Sequence, residues 1–141
     1  MNIHLRPATE EDLESCLELA RMKEFDRIVE CASHEEAKNL LGSYLQTYFV
    51  VAEDDGEVIG FFTAEKTLPN EFYVDIIVVR AEYRKQGIGK KLMEEARSIA
   101  KREGYSGMYL LCTKENPYAE KFYTSLGMER GQEYIIFSEE I

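Results

Sequence analysis

Between Arg84 and Lys91 the sequence reads RKQGIGKK, two glycines set among cationic and amide side chains. Five of the 17 basic residues, Arg80, Arg84, Lys85, Lys90 and Lys91, lie between Arg80 and Lys91, although the formal net charge of the chain is -10. An apolar run, FYVDIIVV, precedes it, and a pattern of helical period follows it. Glycine at 87 and 89, where a buried strand hands over to a helix, lets backbone N–H groups of the first turn face outward with no Cβ in the way. The helix dipole adds about 0.3 to 1 kcal/mol per favourable charge, and Arg84, Lys85, Lys90 or Lys91 would add charge-assisted bonds. This is the chemistry of an anion site, and a phosphate compound is the expected ligand. The plainer reading is a tight turn followed by solvated lysines. A P-loop does not fit, because Lys91 is followed by Leu92 and no earlier glycine stands at the required spacing. A dinucleotide fingerprint fits poorly, because GIGKKL has leucine at the third glycine position.

Asp75 is the second residue with chemical potential. A carboxylate inside a strand that is apolar on both faces loses solvation, so it is either hydrogen-bonded for structure or used in a site. Cys16, Cys31 and Cys112 are far apart, and no CxxC pair occurs. Neither a disulfide framework nor a metal site is expected from them, and Cys16 and Cys112 are expected to be reduced and buried.

The elements that must position these groups can be read from period and caps. Ile3 to Arg6 forms an opening strand ended by Pro7; Thr9 with Asp12 three residues on starts a helix with Leu13, Cys16, Leu17 and Ala20 as its stripe. Ser33 caps a second helix running to about Tyr44, with Ala37, Leu40, Leu41 and Tyr44 on one face. MKEFDRIVECA between them has no clear period. TYFVVAE and EVIGFFTAEK around Asp55-Gly56 form an antiparallel hairpin, and FYVDIIVV (72–79) is a central strand. Residues 87–103 form a helix lined by Ile88, Leu92, Ala96, Ile99 and Ala100, and MYLLCT (108–113) is a strand parallel to 72–79. Asn116-Pro117 opens a last helix with Ala119, Phe122, Tyr123 and Leu126 inward, and EYIIFSE (133–139) is a last strand. The expected fold class is α/β (α+β), with a mixed, mostly antiparallel sheet of six to seven strands and helices on both faces.

At 141 residues, with 45% hydrophobic and 31% charged residues, the chain is expected to be one domain over 1–141. No apolar run approaches the roughly 18 residues of a membrane span, and the N-terminus lacks signal-peptide features, so no membrane partner and a cytoplasmic location are expected. A net charge of -10 argues against nucleic acid as a partner and favours a cationic small molecule.

RKQGIG, with Arg84, Gly87 and Gly89, resembles the pyrophosphate loop Arg/Gln-x-x-Gly-x-Gly/Ala of the GNAT superfamily of acyl-CoA-dependent N-acyltransferases. The resemblance extends over nearly the whole chain, through IHLRPATEEDLESCLEL, GEVIGFF, VVRAEYRKQGIGKKLMEEA and NPYAEKFYTSLGM in order. Ala81 stands where members usually have proline, and Lys85 where many have glycine. The resemblance implies the acyl-CoA N-acyltransferase fold and acetyl-CoA as donor, with no metal. It implies that the pantetheine arm pairs with the strand backbone at Ile77, Val78 and Val79, and that the two strands at 72–79 and 108–113 splay to admit it. The pyrophosphate would meet Arg84, Lys85 and the N–H groups of Gln86, Gly87, Ile88, Gly89, Lys90 and Lys91, and Asn116 would bond the pantetheine arm or serve only as a helix cap. Tyr123 matches the tyrosine that protonates the departing thiolate, and Asp75 matches the acid that deprotonates the incoming ammonium; a core tyrosine and a structural anchor are the plainer alternatives. Transfer would be direct, in a ternary complex, without an acyl group on Cys112.

The acceptor is expected to be a small-molecule or peptide amine. In this fold the segment before the hairpin borders the acceptor, and here it carries Glu24, Asp26, Glu30, Glu35 and Glu36 beside Phe25, Tyr44 and Tyr48. A solvated acidic surface is the plainer account of those charges. A non-catalytic acyl-CoA-binding or regulatory module is the alternative function, and a homodimer through 133–139 is possible.

Overall fold

The first helix starts where it does because Asp12 is held from two sides. Thr9 N–H donates to Asp12 Oδ2 at 2.8 Å, and Arg6 grips both oxygens, Nη1 to Oδ2 at 2.8 Å and Nη2 to Oδ1 at 2.9 Å. Arg6 Nε also donates to Glu53 Oε2 at 3.1 Å. One arginine thus ties the first strand, the first helix and the second strand together. In the computed structural model, which describes residues 1–21 and 33–141, these belong to β1 (Ile3–Pro7), α1 (Leu13–Ala20) and β2 (Tyr48–Asp54). The other elements are α2 (His34–Gly42), β3 (Glu57–Thr67), β4 (Glu71–Val79), α3 (Ile88–Arg102), β5 (Gly107–Tyr109) and α4 (Pro117–Ser125), with 3-10 turns at Glu10–Asp12, Ser43–Gln46 and Ala81–Tyr83. MKEFDRIVECA, with Glu24, Phe25, Asp26, Glu30 and Cys31, lies outside the described residues.

The chain divides into two compact units, Met1–Leu110 and Leu111–Ile141. In the first, five strands lie in the order β1-β2-β3-β4-β5, antiparallel except for the parallel β4/β5 pair. One face carries α1 and α2, packed through Leu13, Leu17, Ala37 and Leu41 on Val51, Phe61, Ile76 and Val78. The other carries α3, through Ile88, Leu92, Ala96, Ile99 and Ala100 on Ala52, Phe62, Phe72 and Val74. Gly60 brings α3 close: a Cβ there would stand 2.9 Å from Val78 O and 3.5 Å from Leu92 Cδ1. Leu40, placed by its spacing on the inner face of α2, is instead 44% exposed.

Among the described residues the sheet has five strands rather than six or seven. MYLLCT forms a ladder only through Gly107–Tyr109, and 133–139 takes no strand conformation. Alternation and β-propensity describe a side-chain surface, whereas a strand also needs a backbone partner, which no local pattern specifies. Cys16 is buried as expected, but Cys112 is exposed, because it follows the end of β5.

The Arg6 hydrogen bond, opposed by burial and helped by Thr9 N–H, holds the Asp12 carboxyl below its ordinary value. A carboxyl depressed in the folded state stabilises the fold above the unfolded value, about 3.9, and loses that contribution as pH falls through the folded one. Asp12→Ala is expected to cost about 2 to 3 kcal/mol at pH 7. Urea unfolding should show the midpoint shift with an unchanged slope, and the gap to wild type should narrow below about pH 4.

Candidate functional site

β4 enters the glycine loop through Arg80, and the turn is anchored on its sheet side. Arg80 N–H donates to Ile59 O at 2.7 Å, and Tyr83 Oη donates to Asp54 Oδ2 at 2.9 Å. Lys85 and Gly87 then adopt left-handed backbone, with φ of 61° and 83°. Such residues turn successive N–H groups toward a common side, the geometry of an anion-binding concavity. The first α3 bond runs from Lys91 N–H to Gly87 O at 3.1 Å, so the N–H groups ahead of it belong to the helix end that an α-helix cannot satisfy internally. Ile88 is fully buried and pins this end to the sheet, while Arg84, Lys85, Gln86, Gly87, Lys90 and Lys91 are exposed and Gly89 is half-buried. The loop's side chains also brace it: Arg84 Nε donates to Val79 O at 3.2 Å and Gln86 Nε2 to Glu82 O at 3.0 Å.

The strand leading to this loop has an open edge. β5 pairs with β4 only at Glu71, Phe72 and Tyr73, and among the described residues no strand lies beside Ile77, Val78 and Val79 on that edge. Arg80 N–H points to β3, so by the alternation of an antiparallel ladder the peptides of Val78 also face β3 and those of Ile77 and Val79 face the open edge. β4 thus continues through Val74 to Val79 without a ladder partner in β5.

Asp75 occupies a step in β4. Thr63 pairs with Ile76 and the next β3 residue, Ala64, with Val74, so the ladder passes over Asp75. This one-residue bulge exchanges the faces of the strand. Phe72 and Val74 pack toward α3, whereas Ile76 and Val78 pack toward α1 and α2. Asp75 is half-buried. The ladder partner of the next residue, Ile76, is Thr63, which is fully buried with a hydroxyl that has no hydrogen-bond partner among the described residues. Sequence reasoning passed over Thr63, because alternation in β3 shows a small inward residue and says nothing of the hydroxyl's partners.

In the second unit, Asn116 caps α4, its Oδ1 accepting from Ala119 N–H at 3.1 Å, and Pro117 occupies the first helical position. The cap reading of Asn116 is therefore realised in its oxygen. Tyr123 is half-buried, with its ring edge-on to Phe122 at 5.1 Å. Burial, and then the proximity of Cys112, push its phenol up to about 12.

The aromatic residues grouped with the acceptor acids separate. Tyr44 is buried in the α1/α2 core, while Tyr48 packs on the opposite face, edge-on to Phe72 at 4.8 Å and hydrogen-bonded to Glu103 and Tyr105, each at 2.8 Å. Glu35 and Glu36 are exposed in the first turn of α2. A cavity of about 310 Å³ opens beside α1, lined by Glu14, Ser15, Leu17, Glu18, Arg21 and His34. Arg21 Nη2 donates to His34 Nδ1 at 2.9 Å, which leaves Nε2 to donate to Glu14 Oε2 at 3.0 Å, and Lys38 Nζ lies 3.1 Å from Glu14 Oε1. Among the described residues no cluster of His, Cys, Asp and Glu could hold a metal, and no helix is long and apolar enough to cross a membrane.

The splayed strand, the bulge and the glycine turn at a helix N-terminus define a class of protein, and comparison with known proteins gives the same one. The chain belongs to the GNAT acetyltransferase family, whose model, Acetyltransferase (GNAT) family, matches residues 8–128. It is by class an N-acetyltransferase with acetyl-CoA as donor. Solved structures that share its fold include three of note. A transcriptional regulator from Bacillus halodurans C-125 is 23% identical, with 98% of this chain and 100% of that chain covered and a TM-score of 0.84. AAC(6')-Iy in complex with the bisubstrate analog CoA-S-monomethyl-acetylneamine is 18% identical, with 100% of each chain covered and a TM-score of 0.83. The PaiA N-acetyltransferase from Thermoplasma acidophilum, in complex with coenzyme A, is 25% identical, with 89% and 88% covered and a TM-score of 0.74.

A Cβ at Gly87 would meet no atom within 4 Å, so alanine there is opposed only by the left-handed backbone. Gly87→Ala is expected to lose about 1 to 2 kcal/mol of stability. Denaturant titration measures this, and a neutral substitution would mean that the turn is not held at positive φ.

Proposed function

We propose that residues 1–141 act as one domain that transfers acetyl from acetyl-CoA to the primary amine of a small cationic molecule or a peptide, by direct attack in a ternary complex. The observation that carries this reading is the open edge of β4 at Ile77–Val79 running straight into the turn at the α3 N-terminus. An amide-bearing arm followed by a pyrophosphate has the chemistry to satisfy both in sequence: Ile77 and Val79 pair with the arm, with Val78 between them facing β3. Arg84, Lys85 and the N–H groups from Gln86 through Lys91 take the anion. Asn116 contributes a further polar contact to the arm. Aminoglycoside acetyltransferases among the similar structures, one of them bound to sisomicin, support a polyamine-like acceptor.

In the reaction, Asp75 takes a proton from the acceptor ammonium, directly or through water, because only the neutral amine attacks a thioester. Nitrogen forms its bond to the carbonyl carbon, and backbone N–H groups of β4 face the charge that develops on the oxygen. As the carbon–sulfur bond breaks, Tyr123 gives its phenolic proton to the departing thiolate. A phenol raised to about 12 stays protonated through the neutral range, and the same burial disfavours a bare thiolate beside it. A homodimer covering the exposed Tyr134, Ile135, Ile136 and Phe137 belongs to this reading, and sedimentation velocity reads it directly.

CoA release measured against polyamines, amino acids, aminoglycosides and peptide N-termini tests the function; acetyl-CoA binding with no amine consumed would return it to a binding module. Tyr123→Phe is expected to lower kcat by about 10² to 10⁴ with acetyl-CoA affinity nearly unchanged. Because the phenol's value is raised, wild-type turnover should climb from pH 6 as the amine deprotonates and show no descending limb up to pH 10. Unaltered single-turnover rates in the phenylalanine variant would remove Tyr123 from the mechanism.

A further inference from the structure

The buried hydroxyl of Thr63 sits where the β3/β4 ladder changes step. Thr63 is the Cα partner of Ile76, and the register shifts between Thr63 and Ala64 as β4 passes over Asp75. Phe61, two residues earlier in β3, packs with Ile76 and Val78 beneath α1 and α2, so strand alternation directs Thr63 to that face. The side chain is 0% exposed, and Oγ1 has no hydrogen-bond partner among the described residues. A hydroxyl taken from water without a partner is destabilising, whereas valine would fill the same shape with no polar atom to satisfy. Among the described residues the other buried side-chain atom without a partner, Arg80 Nε, belongs to a guanidinium that is already held through Nη2 by Val58 O at 3.4 Å and Glu57 at 3.6 Å. Thr63 has no such second tie among its side-chain atoms.

A bulge leaves its extra residue out of the regular ladder pattern, and a buried water bonds polar groups that are otherwise unsatisfied. We propose that Thr63 is a positioning residue for acetyl transfer: through one enclosed water its hydroxyl holds the 74–76 step of β4, and with it the placement of Asp75. Thr63 does not touch the reacting atoms. It sets the height at which β4 changes face, so its loss acts on turnover through a small misplacement of the strand rather than through binding of the donor. The inference rests on the acetyl-transfer reading.

Two measurements test it. In a crystal structure of the wild-type protein, a water within hydrogen-bond distance of both Thr63 Oγ1 and a peptide group of residues 74–76 is expected, and a dry hydroxyl overturns the proposal. In kinetics, Thr63→Val is expected to lower kcat about ten- to hundredfold, the size of effect a displacement of about 1 Å produces, with the KM for acetyl-CoA within twofold of wild type. Thr63→Ser, which keeps the hydroxyl, should recover most of the loss and serves as the comparison if the valine variant does not fold. A valine variant that melts higher than wild type and turns over at the wild-type rate would show an idle hydroxyl and overturn the proposal. Absence of turnover in the wild type with every acceptor would instead defeat the acetyl-transfer reading, and the crystallographic water would still be decided on its own.

Discussion

One extra residue in β4 governs what the rest of the first unit can present. A regular strand of this length would keep Phe72, Val74, Ile76 and Val78 on one face, and α3 would have to cover all of them. With Asp75 inserted, the first two serve the α3 face and the last two serve the α1/α2 face, so a single strand closes both cores. The strongly twisted backbone at a bulge also turns the strand away from a flat ladder. β5 follows β4 for three residue pairs and no further. The edge at Ile77 and Val79 is thereby made available immediately before the turn into α3, and Gly60 lets Leu92 and the backbone of β4 approach closely enough to hold that turn in place.

The acidity of the chain and the cationic loop are compatible because they act over different distances. At physiological ionic strength charges farther apart than about 8 Å are largely screened where both face water. A net charge of -10 therefore sets how the whole molecule behaves toward a polyanion, while a phosphate at the α3 N-terminus experiences mainly the nearby N–H groups and the side chains of Arg84, Lys85, Lys90 and Lys91. Two left-handed residues in the turn make that concavity a property of the backbone, with the lysines adding charge around it.

What was legible in the sequence is what is decided locally. Ser33 accepts from Glu36 N–H at 3.1 Å, Asn116 caps α4, and Thr9 with Asp12 starts α1, each within three residues of where the side chain stands. The α3 stripe and the Asp55-Gly56 hairpin were equally readable, as was the glycine turn into α3. The bulge was visible only as a polar interruption at Asp75, because whether a residue is paired or passed over depends on a partner strand. The same reason explains the short β5, the absence of strand at 133–139 and the separation of Tyr44 from Tyr48: each turns on which distant segment lies alongside. Arg6 was not legible as a hub at all, since Asp12 and Glu53 reach it from opposite sides of the sequence.

On the proposed reading, donor and acceptor recognition depend on different parts of the chain. An arm laid along peptide groups and an anion held by N–H groups would require a particular backbone path and a few glycines, and would leave most side chains free to vary. That is consistent with solved structures at 18 to 25% identity retaining TM-scores of 0.74 to 0.84 with this chain. On the same reading acceptor choice would have no such backbone template and would come from side chains; among those before the β2/β3 hairpin, Glu14, Arg21, His34 and Lys38 already engage one another. An acceptor that draws on those groups would have to compete with their existing bonds, so its affinity is set by the difference between two sets of interactions and not by the number of acids in the segment.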